Sequence, residues 1–251
     1  MKIVFLGSGN VATHLAKALH GAGHAIIQVF SRSLENATLL ADKVGAEAVS
    51  RLHLINTEAE LYLFCVKDDA LQEVILQMPQ TSGVWAHTAG SMPMRLFSPR
   101  KEEHGVIYPL QTFSKARELD FSAIPLFVEG STPATVRFLE ELSRQLSREV
   151  HLLSGDKRGY LHLAAVFACN FVNHMYTLSS QILLNEEIPF GMLRPLIAET
   201  AAKVTVMTPK EAQTGPALRN DEKVMRNHLA LITQPQIKEL YSLLSKSIQS
   251  L

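Results

Sequence analysis

Gly7, Gly9 and Ala12 in the run GSGNVA stand at the spacing G-x-G-x-x-A, directly after the apolar run Ile3 to Leu6 and at the head of an amphipathic stretch, Val11 to His20. Where a strand turns into a helix, a first glycine makes the tight turn and a second lets a pyrophosphate approach the backbone. A small third residue allows the helix to pack on the strand. Gly7, Ser8, Gly9, Asn10 and Val11 therefore offer a helix N-terminus to phosphates, with free N–H groups and a partial positive charge. The alternative is a purely structural strand-to-helix turn, and the fit of the flanking elements favours dinucleotide binding.

The next apolar run, Ala25 to Phe30, exits into Ser31, Arg32 and Ser33. A site for an unphosphorylated ribose would put an acid there. A 2′-phosphate carries about −1.5 to −2 charges, and a carboxylate ~4 Å away would oppose it by roughly 4 kcal/mol or more at an effective dielectric of 20. Arg32 instead offers a planar fork of donors, so NADP is expected over NAD. The other reading of Arg32 is a solvated loop cation.

Three further strand ends carry chemistry. LYLFCVKDD ends at Cys65, Val66 and Lys67, with backbone expected to face the cofactor and Asp68 or Asp69 expected to cap the following helix. Cys65 reads as a packed apolar residue rather than a nucleophile. VWAHTAGS sets His87, Thr88 and Ser91 near small residues that would clear a flat ring; for His87 a hydrogen-bonded core histidine is the equal alternative. YPLQTFS places Tyr108 before a rigid proline, as one wall of a pocket.

Later in the chain, YLHLAAVFACNFVNHMYT reads as one helix. At about 100° per residue, with His162 at 0°, Asn173 falls near 20°, Thr177 near 60°, Asn170 near 80° and His174 near 120°. The polar residues form one stripe while most other directions are apolar, so a helix packed by its neighbours is expected. The stripe should meet ligand, water or polar partners in the first domain or a second subunit. In TGPALRND, Thr214, Gly215 and Arg219 could hold an anionic substrate group; a turn entering a helix capped by Asp221 explains the same letters.

The elements that must position these residues follow from texture. Apolar runs at 3–6, 25–30, 61–66, 84–86, 106–108, 126–128 and 150–153 are mostly continuous, the pattern of parallel strands covered on both faces. Helical patterns alternate with them, including Thr132 to Leu146, which implies a doubly wound, mostly parallel α/β sheet of Rossmann type over residues 1–153. Beyond SGDK the strand signal stops, and residues 154–251 read as a smaller all-α domain, for substrate or dimerisation.

Composition excludes other classes. Twenty-four Lys+Arg balance twenty-four Asp+Glu among 251 residues, leaving no one-signed field for nucleic acid or an anionic membrane. No uncharged apolar stretch reaches the roughly 18 residues of a membrane span, and the short apolar run at the start is too brief for a signal-peptide core. The two cysteines lack metal-like spacing, which suggests a reducing, cytoplasmic setting and no structural zinc.

Taken together, MKIVFLGSGNVATHLAKAL, SRS, FCVKD, HTAGS, YPLQTFS and TGPALRND resemble, over nearly the whole chain, a bacterial family of NADP oxidoreductases that joins a Rossmann-like domain to a C-terminal helical domain of unknown function. More distantly the chain is similar to pyrroline-5-carboxylate reductase, ketopantoate reductase, β-hydroxyacid dehydrogenases and deazaflavin-dependent NADP reductases. The resemblance implies hydride transfer between NADPH and a small carbonyl or imine compound in an interdomain cleft, in a homodimer formed through the helical domain. In the dehydrogenase relatives a catalytic lysine precedes an asparagine by four residues. Aligning that asparagine with Asn170 puts Val166 in its place, and valine moves no proton. The candidate catalytic residues are then His87, Ser91, Asn170 and His174, with His162 and Tyr108 as further donors and Tyr108, His162, Asn173, Thr214, Gly215 and Arg219 as substrate contacts. An imine substrate needs less acid assistance. A non-catalytic NADP sensor and a deazaflavin-linked reductase are the competing functions.

Overall fold

The computed structural model describes residues 1–250. Eight strands, β1 (Lys2–Leu6), β2 (Ala25–Phe30), β3 (Glu47–Val49), β4 (Leu61–Phe64), β5 (Val84–His87), β6 (His104–Pro109), β7 (Leu126–Gly130) and β8 (Val150–Leu152), form one sheet. Their order is β3-β2-β1-β4-β5-β6-β7-β8, and every neighbouring pair is parallel except β6 with β7. Helices α1 (Asn10–Gly21), α2 (Leu34–Val44), α3 (Asp68–Gln77) and α4 (Pro133–Arg144) connect strands of this sheet.

The continuous apolar runs have a direct physical reading. Successive strand side chains point to opposite faces, so Ile3 and Phe5 enter one core with Leu61 and Leu63, while Val4 and Leu6 enter another with Tyr62, Phe64 and Trp85. Both faces are dry, so alternation has no place in these strands. The short β3 has no apolar run of its own; it exists by pairing with β2, Phe30 against Val49, which is why the sequence does not announce it.

The chain divides into two compact units, Met1–Cys169 and the residues from Asn170 onward. The last strand ends at Leu152, as expected, but the division falls later, inside a helical segment made of α5 (Gly155–Ala165), a π turn (Val166–Phe171) and α6 (Val172–Leu184). The second unit continues with α7 (Arg194–Lys203), α8 (Pro209–Ala212), α9 (Glu222–Leu231) and α10 (Pro235–Gln249). Within the single chain the α6 region is not buried by its neighbours. Phe171 and Val172 are exposed, as is Asn170, and among the described residues of the second unit only Ala217 is buried. The pattern of a packed helix is thus not satisfied within one chain.

The π turn also corrects the polar stripe. One i→i+5 turn inserts about one residue, which rotates all that follows by about 100°. Turned back by that amount, Asn173, Thr177 and His174 fall near −80°, −40° and 20° from His162, so the stripe shifts across His162 and still includes it.

Candidate active site

The strand order reverses between β1 and β4, and ligands of open α/β sheets bind at such a point, outside the carboxyl ends of the strands. Gly7 and Cys65 stand there. Gly7 has φ +119°, and a Cβ on it would come 2.4 Å from the Cys65 carbonyl oxygen, so neither the backbone angle nor the space admits a side chain. Gly9 precedes α1 with no side-chain cap, and the first turn carries no acid. The first N–H groups of α1 are therefore free for an anion.

A cleft of ≈ 810 Å³ opens at this point, lined by Gly7, Ser8, Gly9, Ser31, Arg32, Cys65, Val66 and Lys67. Asn36, Arg51 and Lys115 join them; they lie on α2, after β3 and in the loop after β6, too far apart in sequence for a motif to collect. No carboxylate ends β2, and Arg32, Arg51 and Lys115 offer several donors to a phosphate beyond the pyrophosphate. Residues and volume fit an NADP-sized group. Ser33 does not line this cleft. Its hydroxyl accepts the Asn36 N–H at 3.3 Å and so caps α2.

The loop after β6 is strapped to α1. The Asn10 side-chain amide donates to the Phe113 carbonyl at 2.9 Å, His14 Nε2–H donates to the Ser114 carbonyl at 2.9 Å, and Lys17 meets Glu118 at 3.3 Å. Asn10 is thus a positioning residue for the segment that carries Lys115, besides lining a second pocket.

That second pocket, ≈ 330 Å³, shares Gly9, Cys65, Val66 and Lys67 with the first and adds Asn10, Val11, Asp68, Thr88, Ala89, Gly90, Tyr108, Pro109, Gln111 and His162. Burial pushes the Cys65 thiol up to about 12, against a hydrogen bond with Thr88 that acts downward; the thiol stays protonated and inert. The Tyr108 hydroxyl lies 2.9 Å from His162 Nδ1, and the two rings meet edge to face. Gly90 makes this possible: a Cβ there would come 2.5 Å from His162 Nδ1 and 2.9 Å from the Tyr108 ring. Burial holds the Tyr108 phenol above its ordinary range, with the Arg158 cation pulling the other way, so the hydroxyl keeps its proton at neutral pH.

Two catalytic candidates occupy other places. His87 is completely buried and lines neither pocket. Its Nδ1 accepts the Ala89 N–H at 3.2 Å, which fixes the turn leading to Gly90. Burial, with the Arg158 charge next, lowers its pKa to about 3, so it is neutral at any working pH. Ser91 also lies outside the pockets and donates its hydroxyl proton to the Asp68 carboxylate. The sequence pattern HTAGS placed the right loop at the pocket; which of its side chains face inward depends on the turn, and Thr88 and Gly90 do.

Because unfolded His87 would take a proton at its ordinary 6.5 and the native ring only near 3, the unfolded state binds more protons between those values. The contribution to stability is complete above pH 6.5 and is lost as pH falls toward 3, by something on the order of 4–5 kcal/mol. Denaturant melts from pH 7 down to 3 should show a markedly shallower acid loss in His87→Asn than in the wild type; parallel curves would reject the assignment.

Asn170, Asn173, His174, Thr214, Gly215 and Arg219 belong to the second unit, and both pockets are lined by residues of the first. There, Asp221 caps α9 by accepting the Val224 N–H at 3.1 Å, Gly215 turns at φ +110°, and Arg219 N–H donates to the Gly215 carbonyl. Turn and cap thus use the backbone of this loop. The Thr214 and Arg219 side chains are exposed.

A family model described as NADP oxidoreductase, coenzyme F420-dependent, matches residues 2–85, and one described as a domain of unknown function (DUF2520) matches residues 124–248. A solved structure from Bacteroides fragilis, of a protein described as an NADP oxidoreductase, is 45% identical over 100% of this chain and 98% of that one, with a TM-score of 0.94. The chain belongs to this NADP oxidoreductase family. As a member it is an NADP-dependent oxidoreductase with NADP(H) as its cofactor. The NADP oxidoreductase also shares its fold with a reductive aminase from Aspergillus terreus, solved with NADPH and ethyl levulinate (16% identity, 99% of this chain and 94% of that one, TM-score 0.72). A 1-pyrroline-5-carboxylate reductase from Streptococcus pyogenes shares it as well (14%, 100% and 99%, TM-score 0.66). No curated protein matches the NADP oxidoreductase. Among the described residues, no helix is long and apolar enough to cross a membrane, and no cluster of His, Cys, Asp and Glu could hold a metal.

Proposed function

We propose that this chain reduces a small imine or carbonyl compound with NADPH, in the pocket bounded by Thr88, Gly90, Tyr108, Gln111 and His162. The observation that carries the reading is the Tyr108–His162 pair, 2.9 Å apart, facing a pocket that runs into the glycine cleft. NADPH, when bound, supplies the hydride. The glycine turn and the N-terminus of α1 would hold the pyrophosphate, and Arg32 with Arg51 and Lys115 would hold the 2′-phosphate. Tyr108 donates its phenolic proton to the substrate nitrogen or oxygen as the carbon is reduced, and His162 Nδ1–H returns a proton to the phenolate oxygen as the ring takes one from water at Nε2, so that the net proton comes from solvent. This pair occupies the role that Val166 cannot fill. An imine or carbonyl panel should give NADPH oxidation with stoichiometric reduced product; clean NADPH binding with no turnover on any compound, deazaflavins included, would instead leave a sensor.

The working protein is proposed to be a homodimer that covers the helical unit. Leu184, Val206 and Leu231 are 75%, 81% and 80% exposed in the single chain, and Ile182, Met192, Leu196, Leu243 and Leu244 of the same unit are exposed too, apolar side chains that a partner subunit would cover. Sedimentation equilibrium should return twice the chain mass at micromolar concentration; a monomer would reject the assembly. Its two free cysteines fit residence in the reducing cytoplasm.

A further inference from the structure

The first unit holds one buried cation that neither the cofactor cleft nor the pocket uses. Arg158 is 1% exposed. One guanidinium nitrogen donates to Glu129 on β7 at 2.5 Å and another to the Met92 carbonyl at 2.6 Å. The second oxygen of Glu129 accepts the Gly155 N–H at 2.9 Å, at the start of α5, where Ser154 provides no side-chain cap. The same carboxylate therefore starts the helix and grips its first buried side chain.

A buried ion pair of this kind contributes little net stability, since apolar residues of similar volume fill such a space as well or better. Its value must lie in what it holds. Arg158 and His162 are four residues apart on α5, hence on one face of the helix. Met92 lies two residues beyond Gly90, whose bare Cα lets His162 reach Tyr108. The loop between them is tied at its other end by His87, through the Ala89 N–H. A single guanidinium thus links the helix of His162, the loop of Gly90 and the strand that pairs with the strand of Tyr108.

We infer that Arg158, clamped by Glu129, is a positioning residue that sets His162 against Tyr108 and the 88–92 loop. The inference rests on the reading of that pair given above only for its consequence in turnover, not for the geometry. Rotation of α5 by a few degrees would separate the ring from the hydroxyl, and a planar guanidinium whose two nitrogens hold two different partners resists rotation where a point charge does not.

The test uses the full chain with uniformly 15N-labelled histidine. The His162 Nδ1 resonance is identified by its loss in His162→Gln, and its hydrogen-bonded position by its displacement in Tyr108→Phe. In Arg158→Lys and in Glu129→Gln the resonance is expected to move most of the way to the Tyr108→Phe position, with NADPH affinity within about twofold of wild type. Arg158→Met should behave alike if it folds; the lysine and glutamine variants decide the matter if it does not. A His162 resonance at the wild-type position in both would overturn the inference. A displaced resonance with unchanged kcat would uphold the positioning and instead refute catalysis by the pair.

Discussion

Tyr108→Phe lowers kcat for NADPH-driven reduction by about two to four orders of magnitude, the range that a positioned acid supplies, and leaves NADPH affinity within about twofold. The hydroxyl is the one group of that residue facing His162 Nδ1, at 2.9 Å, and phenylalanine keeps the ring that packs against Phe127. The stability change should be small, ~1 kcal/mol for a lost half-buried hydrogen bond. Stopped-flow measurement of NADPH oxidation separates the outcomes: a fall in the single-turnover rate without a change in cofactor affinity supports proton donation. A loss of affinity with unchanged turnover would place Tyr108 in binding alone. Substrates already protonated at nitrogen should suffer less than neutral carbonyls, because their electrophile needs no acid.

The second large effect concerns cofactor choice. Arg32→Ala should weaken NADPH binding by about ten- to a hundredfold, the ~1.5–3 kcal/mol of a hydrogen bond to a charged group, and the double variant with Arg51→Ala should remove most of the remaining preference. NADH affinity should change by no more than about twofold in either. Both arginines line the cleft beside Ser31 and Asn36, and nothing acidic ends β2 to favour a free ribose. Titrations at two salt concentrations add a check, since phosphate contacts weaken with ionic strength. Equal losses for both cofactors would mean that the arginines support the cleft without reading the phosphate.

How far the sequence could go is visible in single residues. The glycine fingerprint was legible because Gly7 and Gly9 answer to local geometry alone: a turn and a helix start. The doubly wound sheet was legible because each strand is dry on both faces, which a run such as Ile3 to Leu6 records directly. Arg51 and Lys115 were not, since each sits in an ordinary-looking loop, and only the sheet order and the strap from α1 bring them to the cleft. Ser91 stood in the right loop but outside the pocket, and His87, at the end of β5, took the core position that was one of its two readings; turn geometry, which residue types do not encode, decided both. The exact angles along the long helix were not legible for a different reason. A π turn is a tertiary adjustment, and a constant rotation per residue cannot foresee it. The Tyr108–His162 contact needed all of these at once, with Gly90 as the only local sign, and a glycine after a strand has many other uses.

Whether NADPH presents its hydride to the Tyr108–His162 pocket is tested most directly by a crystal structure of the full chain with NADPH bound. The 2′-phosphate should lie on Arg32 and Arg51, and the nicotinamide ring should rest against Thr88 and Gly90 with its reactive carbon facing the Tyr108 hydroxyl across the pocket. A nicotinamide ring seated elsewhere, with Tyr108 and His162 facing only solvent or protein, would contradict proton donation by this pair.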